Sequence, residues 1–188
     1  MTKNSPCAVR TKTKIADAFK ELMNSKPFEK ITVSDITEKC HIHRQTFYYH
    51  FQDRYELLDW IIFNELLKPF MDGFNFDNMY DKFKALLKTM CQNKRFYQSA
   101  IRIDSGEVST YLSRASKTQF VSVLKELGAK NNIEPQSEEN DLLIAEFFGY
   151  GLSGVVLSWV QRGMKESPDE LTDKIINLID ICKRFAVE

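Results

Sequence analysis

The sequence predicts an all-α protein of about nine helices, divided into a three-helix N-terminal head and a longer helical body. Three observations lead to this fold class. Hydrophobic residues make up 43% of the 188 residues, enough to form a core. With only 7 Gly and 5 Pro, the chain has few of the turn residues that an all-β fold needs. Apolar residues recur at helical spacing, and several of these stripes begin at a capping residue or end at Pro or Gly.

The head begins with a helix that one apolar stripe predicts, and Pro27 ends it because the residue before a proline avoids the α region. The second helix is predicted from Val33 to about Cys40. Its start carries a capping signal, with Thr32 as the N-cap and Asp35 three residues later. The stripe of the first helix consists of Ile15, Ala18, Phe19, Leu22 and Met23.

A short break at His41 and Ile42 separates the second helix from a third, which is predicted over about residues 43–50. Asp53 is the expected cap of a fourth helix, and Pro69 is expected to stop it. The apolar stripe of this fourth helix consists of Leu57, Leu58, Ile61, Ile62 and Leu66.

The body starts with an irregular, Phe-rich connection over residues 70–77. Its helix over residues 141–162 is apolar on nearly all sides, which predicts that it is buried or paired. The last helix begins with a cap at Ser167, a first-turn proline at Pro168 and the capping-box acid Glu170. The predicted helices of the body cover about residues 78–92, 96–102, 108–127 and 141–162, followed by one from 168 onwards.

Charge and cysteine content indicate a cytoplasmic protein with one basic end. The formal net charge is zero, but residues 1–54 hold ten Lys/Arg against six Asp/Glu, a local balance of +4, together with all three histidines. The four cysteines show no paired spacing, which favours a reducing compartment. We expect neither a secretory leader nor a membrane span, because residues 1–14 are polar and the longest uncharged run, 147–161, is too short for a bilayer.

The second and third helices have the arrangement of a helix-turn-helix over about residues 32–51. In such a motif the second helix enters the DNA major groove, so one face must be polar and the other apolar. Ile42, Phe47 and Phe51 can face the first helix. Arginine suits guanine, glutamine suits adenine, and hydroxyl groups suit phosphate oxygens, so the outer face predicts a double-stranded DNA partner. The side chains left to face outwards are Arg44, Gln45, Thr46, Tyr48, Tyr49 and His50.

The stretch from Ile31 to Phe51 and the basic residue that opens the fourth helix resemble the TetR family of transcription regulators. The resemblance covers about the first third of the chain and rests on a Thr-Val pair before the second helix and on Thr-Phe-Tyr-Tyr-His-Phe in the third. It implies that Arg44 and Gln45 read bases. It further implies phosphate contacts by Thr46, Tyr48, His50 and Arg54, a contact of Tyr49 with the backbone or a thymine methyl, and an anchoring role for Thr32; Val33 and His43 belong to the same predicted DNA-binding set.

Two residues depart from the family pattern. His41 stands where the family usually has Gly, and a positive φ there would cost a non-glycine residue energy, although His tolerates it better than most. His43 stands where Ser or Thr often caps the third helix. Cys40 and the three histidines have the residue types of a zinc site, but they straddle the turn with poor spacing, so we expect no metal and no cofactor.

Residues 147–164 and 167–171 are similar to the branch of the family that includes regulators of dihydroxyacetone kinase operons. The family resemblance implies a DNA-binding domain over residues 8–68 and an effector-binding and dimerisation domain over residues 69–188. The aromatic side chains of the body could line an effector pocket or form ordinary core. The candidate pocket residues are Phe70, Phe74, Tyr80, Phe83, Met90, Phe96, Tyr97, Tyr111 and Phe147.

The resemblance also implies a homodimer in which the last two helices of each subunit form a four-helix bundle. Gly149, Gly151 and Gly154 would let a partner helix approach closely, although the same helix could be a central core helix. The expected dimer contacts are Phe148, Leu152, Val155, Val156, Trp159, Ile175, Leu178, Ile179 and Cys182.

The sequence thus predicts a TetR-type regulator that represses from a palindromic operator and responds to an effector bound by the body. Activation and control by a partner protein instead of a small molecule are the alternatives. A small helical enzyme is a distant alternative, because the chain has no Gly-rich phosphate loop, no H-E-x-x-H and no G-x-S-x-G.

Overall fold

The computed structural model describes residues 5–75, 77–103, 121 and 138–187, and the side chains of these residues apart from 138 and 182–187. In these ranges the chain forms eight helices and no strand, which confirms the all-α fold. The helix predicted over 108–127 lies, except for Val121, outside the described residues. The helices are α1 (Pro6–Ser25), α2 (Val33–Lys39), α3 (Arg44–His50), α4 (Arg54–Ile62, continued by Phe63–Leu67 and Lys68–Met71), α5 (Met79–Gln92), α6 (Lys94–Ile103), α7 (Glu138–Gln161) and α8 (Pro168–Val187).

Helices α1 to α4 share one core. Helix α1 contacts α2, α3 and α4, and α2 contacts α3. Their central side chains are fully buried, with 0% exposure for Ile15, Phe19, Ile36, Phe47 and Leu57. Helices α2 and α3 have only seven residues each, too few to be stable in isolation, so burial of these apolar faces holds them in place.

Helix α4 does not stop at Pro69, so that expectation was wrong. The helix continues to Met71 through a π-helical turn over Phe63–Leu67, in which the amide of Lys68 donates to the carbonyl of Phe63, five residues earlier. A proline inside a regular α-helix removes one hydrogen bond and crowds the preceding turn. The wider turn changes the hydrogen-bond pattern just before Pro69, which then lies in the first turn of the last segment, where proline is tolerated.

The body is built from α5 to α8 in the described residues. Helix α8 packs along α5, and α7 contacts α6. The inner stripe of α7 includes Leu152, Val156 and Trp159, which are 5%, 5% and 0% exposed. The predicted capping box of α8 is confirmed, because the Ser167 amide donates to the Glu170 carboxylate at 2.7 Å and the Glu170 amide donates to the Ser167 hydroxyl at 3.2 Å.

One helix in the described part of the chain, over residues 139–161 of α7, is long and apolar enough to cross a membrane by length and composition. The core helix of a soluble protein passes the same test. The inner stripe of α7 packs into the protein core, and Trp159 donates a hydrogen bond to the backbone carbonyl of Glu166 at 3.0 Å. These contacts place one side of α7 in the protein core.

A cluster that we call the head–body junction joins α1 to α4 and α6. The ring of Phe19 lies edge-on to that of Phe96, with centroids 6.5 Å apart. Beside them, Lys20 Nζ donates to Glu65 Oε1 at 2.5 Å and the Tyr97 hydroxyl donates to Glu65 Oε2 at 3.3 Å. Burial opposes the charge of Lys20, but its hydrogen bond to Glu65 and the carboxylate charge raise its pKa above the ordinary value. Burial and the same carboxylate raise the pKa of Tyr97.

Candidate DNA-binding surface

The start of α2 is fixed by a complete capping box, as predicted. The Thr32 amide donates to Asp35 Oδ2 at 2.6 Å, and the Asp35 amide donates to Thr32 Oγ1 at 3.1 Å. Lys26 Nζ lies 2.8 Å from the same carboxylate. The Lys26 contact and the Thr32 amide lower the pKa of Asp35 to about 2. Val33 is half-buried and packs against the core. The first turn of α2 is therefore fixed by the capping box and by this core contact.

The turn between α2 and α3 contains His41 in the left-handed region, with φ of 51°, as its position in the motif predicted. The amide of the next residue, Ile42, donates to the Thr37 carbonyl at 3.0 Å, which closes the end of α2. His43 is the N-cap of α3 and makes no side-chain capping bond, so the missing Ser or Thr leaves this helix without that contact.

The back of α3 is apolar and fully packed. Phe47 is 0% exposed and Phe51 is 2% exposed, and their ring centroids lie 5.8 Å apart. The ring of Phe51 also lies edge-on to Trp60 of α4, with centroids 5.9 Å apart. The Lys12 ammonium lies 5.7 Å from the Phe51 ring centroid. These contacts fix the rotation of α3, and therefore decide which residues face solvent.

The front of α3 presents polar side chains to solvent. Arg44 and Gln45 are exposed at its start, and Tyr48 and Tyr49 are 49% and 48% exposed. Arg44 Nη2 donates to the Tyr48 hydroxyl at 3.4 Å, one helical turn on. Thr46 is half-buried. The face therefore carries a guanidinium, an amide and phenol groups, the donors and acceptors that DNA recognition requires.

His50 does not lie on this outer face. It is 8% exposed and stands edge-on to Tyr49, with centroids 5.0 Å apart. It follows Phe47 by three positions, and residues at this spacing share one side of a helix. The expectation that His50 faces outwards was therefore wrong, and its ring belongs to the packing under the surface.

Arg54, for which the sequence predicted a phosphate contact, makes contacts within the subunit. Its guanidinium donates to the carbonyl of Phe28 at 2.8 Å and to the carbonyl of Ile31, and it stacks over the Phe28 ring with its central carbon 4.7 Å from the centroid. These two carbonyls lie in the segment that leads into α2. Arg54 thus ties the start of α4 to the start of the helix-turn-helix.

A cleft of about 500 Å³ opens at the turn of the motif. It lies between α2 and the start of α3, next to the polar face. Its lining combines hydroxyl, carboxylate, imidazole and guanidinium groups from Ser34, Thr37, Glu38, His41, Ile42, His43 and Arg44. Among the described residues, no group of three or more His, Cys, Asp or Glu side chains could hold a metal ion.

Several of the candidate pocket residues of the body pack against one another or against a neighbouring helix. Phe70 lies 4.9 Å from Phe74 and 5.1 Å from Phe83, measured between ring centroids, so these rings fill the space between them. Met90, Phe96 and Tyr97 are at most 2% exposed, and Phe96 packs against α1. The half-buried Tyr80 donates its hydroxyl to Asp173 at 3.0 Å. Phe147 is 73% exposed, and Tyr111 lies outside the described residues.

Most of the predicted dimer residues lie on the inner side of the body, which corrects their assignment. Leu152, Val156, Trp159, Ile175 and Ile179 are at most 7% exposed within the subunit. Because α7 is apolar on all sides, its pattern could not show which side faces the core. Phe148 and Val155 are half-buried, Leu178 is 47% exposed, and the side chain of Cys182 lies outside the described ones.

The exposed side of α7 carries a second apolar stripe. Leu143, Phe147 and Tyr150 are 66%, 73% and 58% exposed. Gly151 and Gly154 continue this stripe, and a Cβ atom added to either would meet no atom within 4 Å. We call these five residues the outer stripe of α7. Leu178 and Ile181 of α8 are also exposed, at 47% and 38%.

Two family models match the chain. The model of the tetR family of bacterial regulatory proteins matches residues 15–61, and a model of a transcriptional regulator C-terminal region matches residues 77–181. The first match contains α2, the turn and α3. The second covers the described helices α5 to α7 and most of α8.

The relatives agree with these models over nearly the whole chain. The HTH-type dhaKLM operon transcriptional activator DhaS of Lactococcus lactis subsp. lactis (strain IL1403) is 38% identical over 179 residues, which cover 94% of this chain and 92% of the relative. A solved structure of the dihydroxyacetone kinase operon activator DhaS has a TM-score of 0.76 at 27% identity, with 94% of this chain and 98% of that chain covered. The TetR family repressor AlkX from Dietzia sp. strain DQ12-45-1b, with a TM-score of 0.54 at 15% identity and 95% of each chain covered, shares the fold.

Proposed function

The chain belongs to the TetR family of transcription regulators, and we propose that it binds a palindromic operator as a homodimer through the outer face of α3. The observation that carries this proposal is the rotation of α3. Its apolar back is buried at Phe47, while Arg44, Gln45, Tyr48 and Tyr49 are exposed. A helix held in this way can enter the major groove with its polar side towards the bases.

We assign the base contacts to Arg44 and Gln45, because both are exposed in the first turn of α3, where recognition helices meet base edges. Tyr48 and Tyr49 lie on the same face and can donate to phosphate oxygens. Thr32 and Val33 position the start of α2, and the half-buried Thr46 and the exposed His43 lie at the edge of the surface. We assign this domain to residues 8–68 and the regulatory domain to residues 69–188.

We propose that the outer stripe of α7, together with Leu178 of α8, forms the dimer contact. The stripe exposes two large side chains, Phe147 and Tyr150, at 73% and 58%. The open space above Gly151 and Gly154 would let a second copy of the helix approach the backbone closely. A contiguous exposed apolar surface of this kind is typical of an interaction site. Two-fold pairing would present two copies of α3 to a palindromic duplex.

We further propose that the target is a dihydroxyacetone kinase operon and that the protein activates it. The support is the relative named as an activator of such an operon, which is 38% identical over 94% of this chain. Activation thus replaces the repression expected from the sequence. We also propose a cytoplasmic location, because the protein must reach its target DNA. A reporter under the promoter of such an operon should lose expression when the regulator gene is deleted; a rise would instead indicate repression.

The body receives the regulatory signal in this proposal. The packed rings of Phe70, Phe74 and Phe83 favour a signal delivered to the surface by a partner protein over a small molecule bound among these side chains. The test is to add the protein fraction or the small-molecule fraction of the host cytosol to the purified complex with DNA. A change in DNA affinity with the small-molecule fraction alone would contradict this preference.

Selection of bound duplexes from a random DNA pool tests the proposed function most directly. We expect a palindrome whose half-sites lie about one helical turn, roughly 34–36 Å, apart. Arg44→Ala should weaken binding to the selected duplex by about 10- to 100-fold and relax the preference at one base pair in each half-site. Arg95→Ala is the matched control, because Arg95 is exposed on α6. Recovery of no preferred sequence by the wild-type protein would refute the proposal.

A further inference from the structure

The turn residue His41 has an exposed side chain that takes no part in the packing of the subunit. Within the described residues, two non-glycine residues have positive φ, His41 at 51° and Met164 at 50°. Met164 is 6% exposed, so burial of its side chain compensates for the strained backbone. His41 is exposed, and its imidazole makes no hydrogen bond or ion pair with another described residue. The bonds that close α2 account for the backbone of His41, and its exposed imidazole is left available to a partner outside the subunit.

The position of His41 in the motif identifies the surface that it meets. In a helix-turn-helix the first helix crosses the DNA backbone while the second lies in the major groove. His41 stands between α2 and α3 and lines the cleft that ends at Arg44. When α3 enters the groove, this turn must lie at the groove wall, where the phosphates are.

The charges around His41 suit an anion. The cleft holds the imidazole of His43 and the guanidinium of Arg44 beside it, and one carboxylate, that of Glu38 on α2. Histidine is the side chain whose charge ordinarily changes between about pH 5 and pH 8. A protonated imidazole at this place would add one positive charge to the DNA-binding surface.

On the basis of the proposed function, we propose that His41 is a proton-linked contact to the DNA backbone. As an imidazolium it donates to a phosphate oxygen at the groove wall, next to the base contacts of Arg44. As a neutral imidazole it loses most of that attraction. The contact is independent of base sequence, so it strengthens binding to every duplex alike as the pH falls.

The test compares the full-length wild-type protein with His41→Asn, His41→Gly and His43→Asn on a mixed-sequence duplex at about pH 8 and pH 6. Asn tolerates positive φ and stays neutral. His41→Asn should reduce the gain in affinity between the two pH values by about two- to fivefold, the range of an exposed ion pair. The slope of log affinity against log salt should shrink by about 0.9 at pH 6 and remain unchanged at pH 8.

His41→Gly distinguishes the loss of the DNA contact from a loss of folding stability. It removes the backbone strain and should raise Tm by about 2 °C while it weakens DNA binding at pH 6 in the same way. An unchanged pH dependence in both His41 variants, an equal loss at both pH values, or a pH dependence that His43→Asn alone abolishes would overturn the proposal. If the wild-type protein selects no duplex from a random pool, the proposed function fails as well; if it does and only the pH result is negative, the failure is confined to His41.

Discussion

Helices α3 and α7 bury one side equally well and expose opposite chemistry on the other. Phe47 of α3 and Trp159 of α7 are both 0% exposed. Both helices also expose aromatic rings, Tyr49 at 48% in α3 and Phe147 at 73% in α7. Around Tyr49 stand polar side chains such as Arg44, whereas the outer stripe of α7 is apolar and interrupted by glycines.

The difference shows that exposed aromatic area alone does not identify a partner. On α3 the rings carry hydroxyl groups beside a guanidinium and an amide, so water can solvate the face until a polyanion replaces it. On α7 the exposed side chains offer few hydrogen-bonding groups, and glycines leave room for a second backbone. The first face suits DNA, and the second suits another copy of this chain.

The largest expected effect comes from placing a charge in the outer stripe of α7, which makes the stripe polar like the exposed face of α3. Phe147→Asp adds a charge at its most exposed position, and an unpaired charge at an apolar contact is costly. We expect dimer dissociation to increase by at least about 30-fold, the effect of losing a central contact residue, with a matching loss of affinity for a palindromic duplex. Sedimentation and a DNA-binding titration measure the two effects.

Gln92→Asp is the matched control for this substitution. It adds the same charge to an exposed position at the end of α5, away from the outer stripe of α7. Only the Phe147 variant should become monomeric at working concentration. If both variants remain dimers with wild-type DNA affinity, the outer stripe is not the subunit contact.

Two arginines of the head, ten residues apart, have different surroundings. Arg44 is exposed on α3, whereas Arg54 donates to two backbone carbonyls. Hydrogen bonds from a charged group contribute about 2 kcal/mol, so Arg54→Ala should lower Tm by roughly 4–8 °C. Arg44→Ala should leave Tm within about 2 °C of wild type.

Calorimetry and DNA titration of the same two variants test whether Arg44 contacts bases and Arg54 stabilises the fold. The sequence-preference change should appear only for Arg44→Ala. A normal Tm for Arg54→Ala, together with a uniform loss of affinity for all duplexes, would contradict this structural role and favour the phosphate contact predicted from the sequence.

The smallest effect concerns the capping boxes of head and body. The contact with Lys26 and the Thr32 amide lower the pKa of Asp35 from 3.8 to about 2. A lowered pKa means that this carboxylate stabilises the fold above its ordinary pKa and loses that contribution as the pH falls from about 4 to 2. Asp35→Asn should therefore have a Tm deficit of roughly 2 °C at neutral pH that disappears in acid.

Thermal unfolding between pH 2 and pH 7 measures this deficit, and Glu170→Gln in the box of α8 is the control. Both substitutions remove a capping acid, but only the one at Asp35 lies under the DNA-binding surface and should also weaken DNA binding. A Tm deficit for Asp35→Asn that stays constant down to pH 2 would contradict the charge-dependent contribution.

The head could be predicted from its sequence in more detail than the body. Helix α3 is amphipathic, so the position of Phe47 alone determines its rotation, and the Thr32 cap and the positive φ of His41 follow from local rules. The burial of His50 was not predicted, because it depends on the exact end of α3. The bonds of Arg54 to backbone carbonyls were not predicted, because these carbonyls are distant in sequence.

The inward-facing residues of the body could not be predicted, because α7 is apolar on nearly all sides. A one-dimensional pattern cannot distinguish the inner residue Trp159 from the outer residue Phe147 in such a helix. Only the three-dimensional arrangement of α5, α6 and α8 separates the two faces. The π-helical turn before Pro69, which lets α4 continue, likewise could not be predicted from the usual effect of proline on a helix.

The head–body junction has a consequence for how the protein can be controlled. Glu65 of α4 accepts from Lys20 of α1 and from Tyr97 of α6, so a rotation of α6 must either carry α4 and α1 with it or break the hydrogen bond between the buried Tyr97 hydroxyl and Glu65. Uncoupled motion of α6 therefore costs a buried hydrogen bond to a charged group. An input that acts far from the operator can in this way reorient the recognition helices without approaching the nucleic acid.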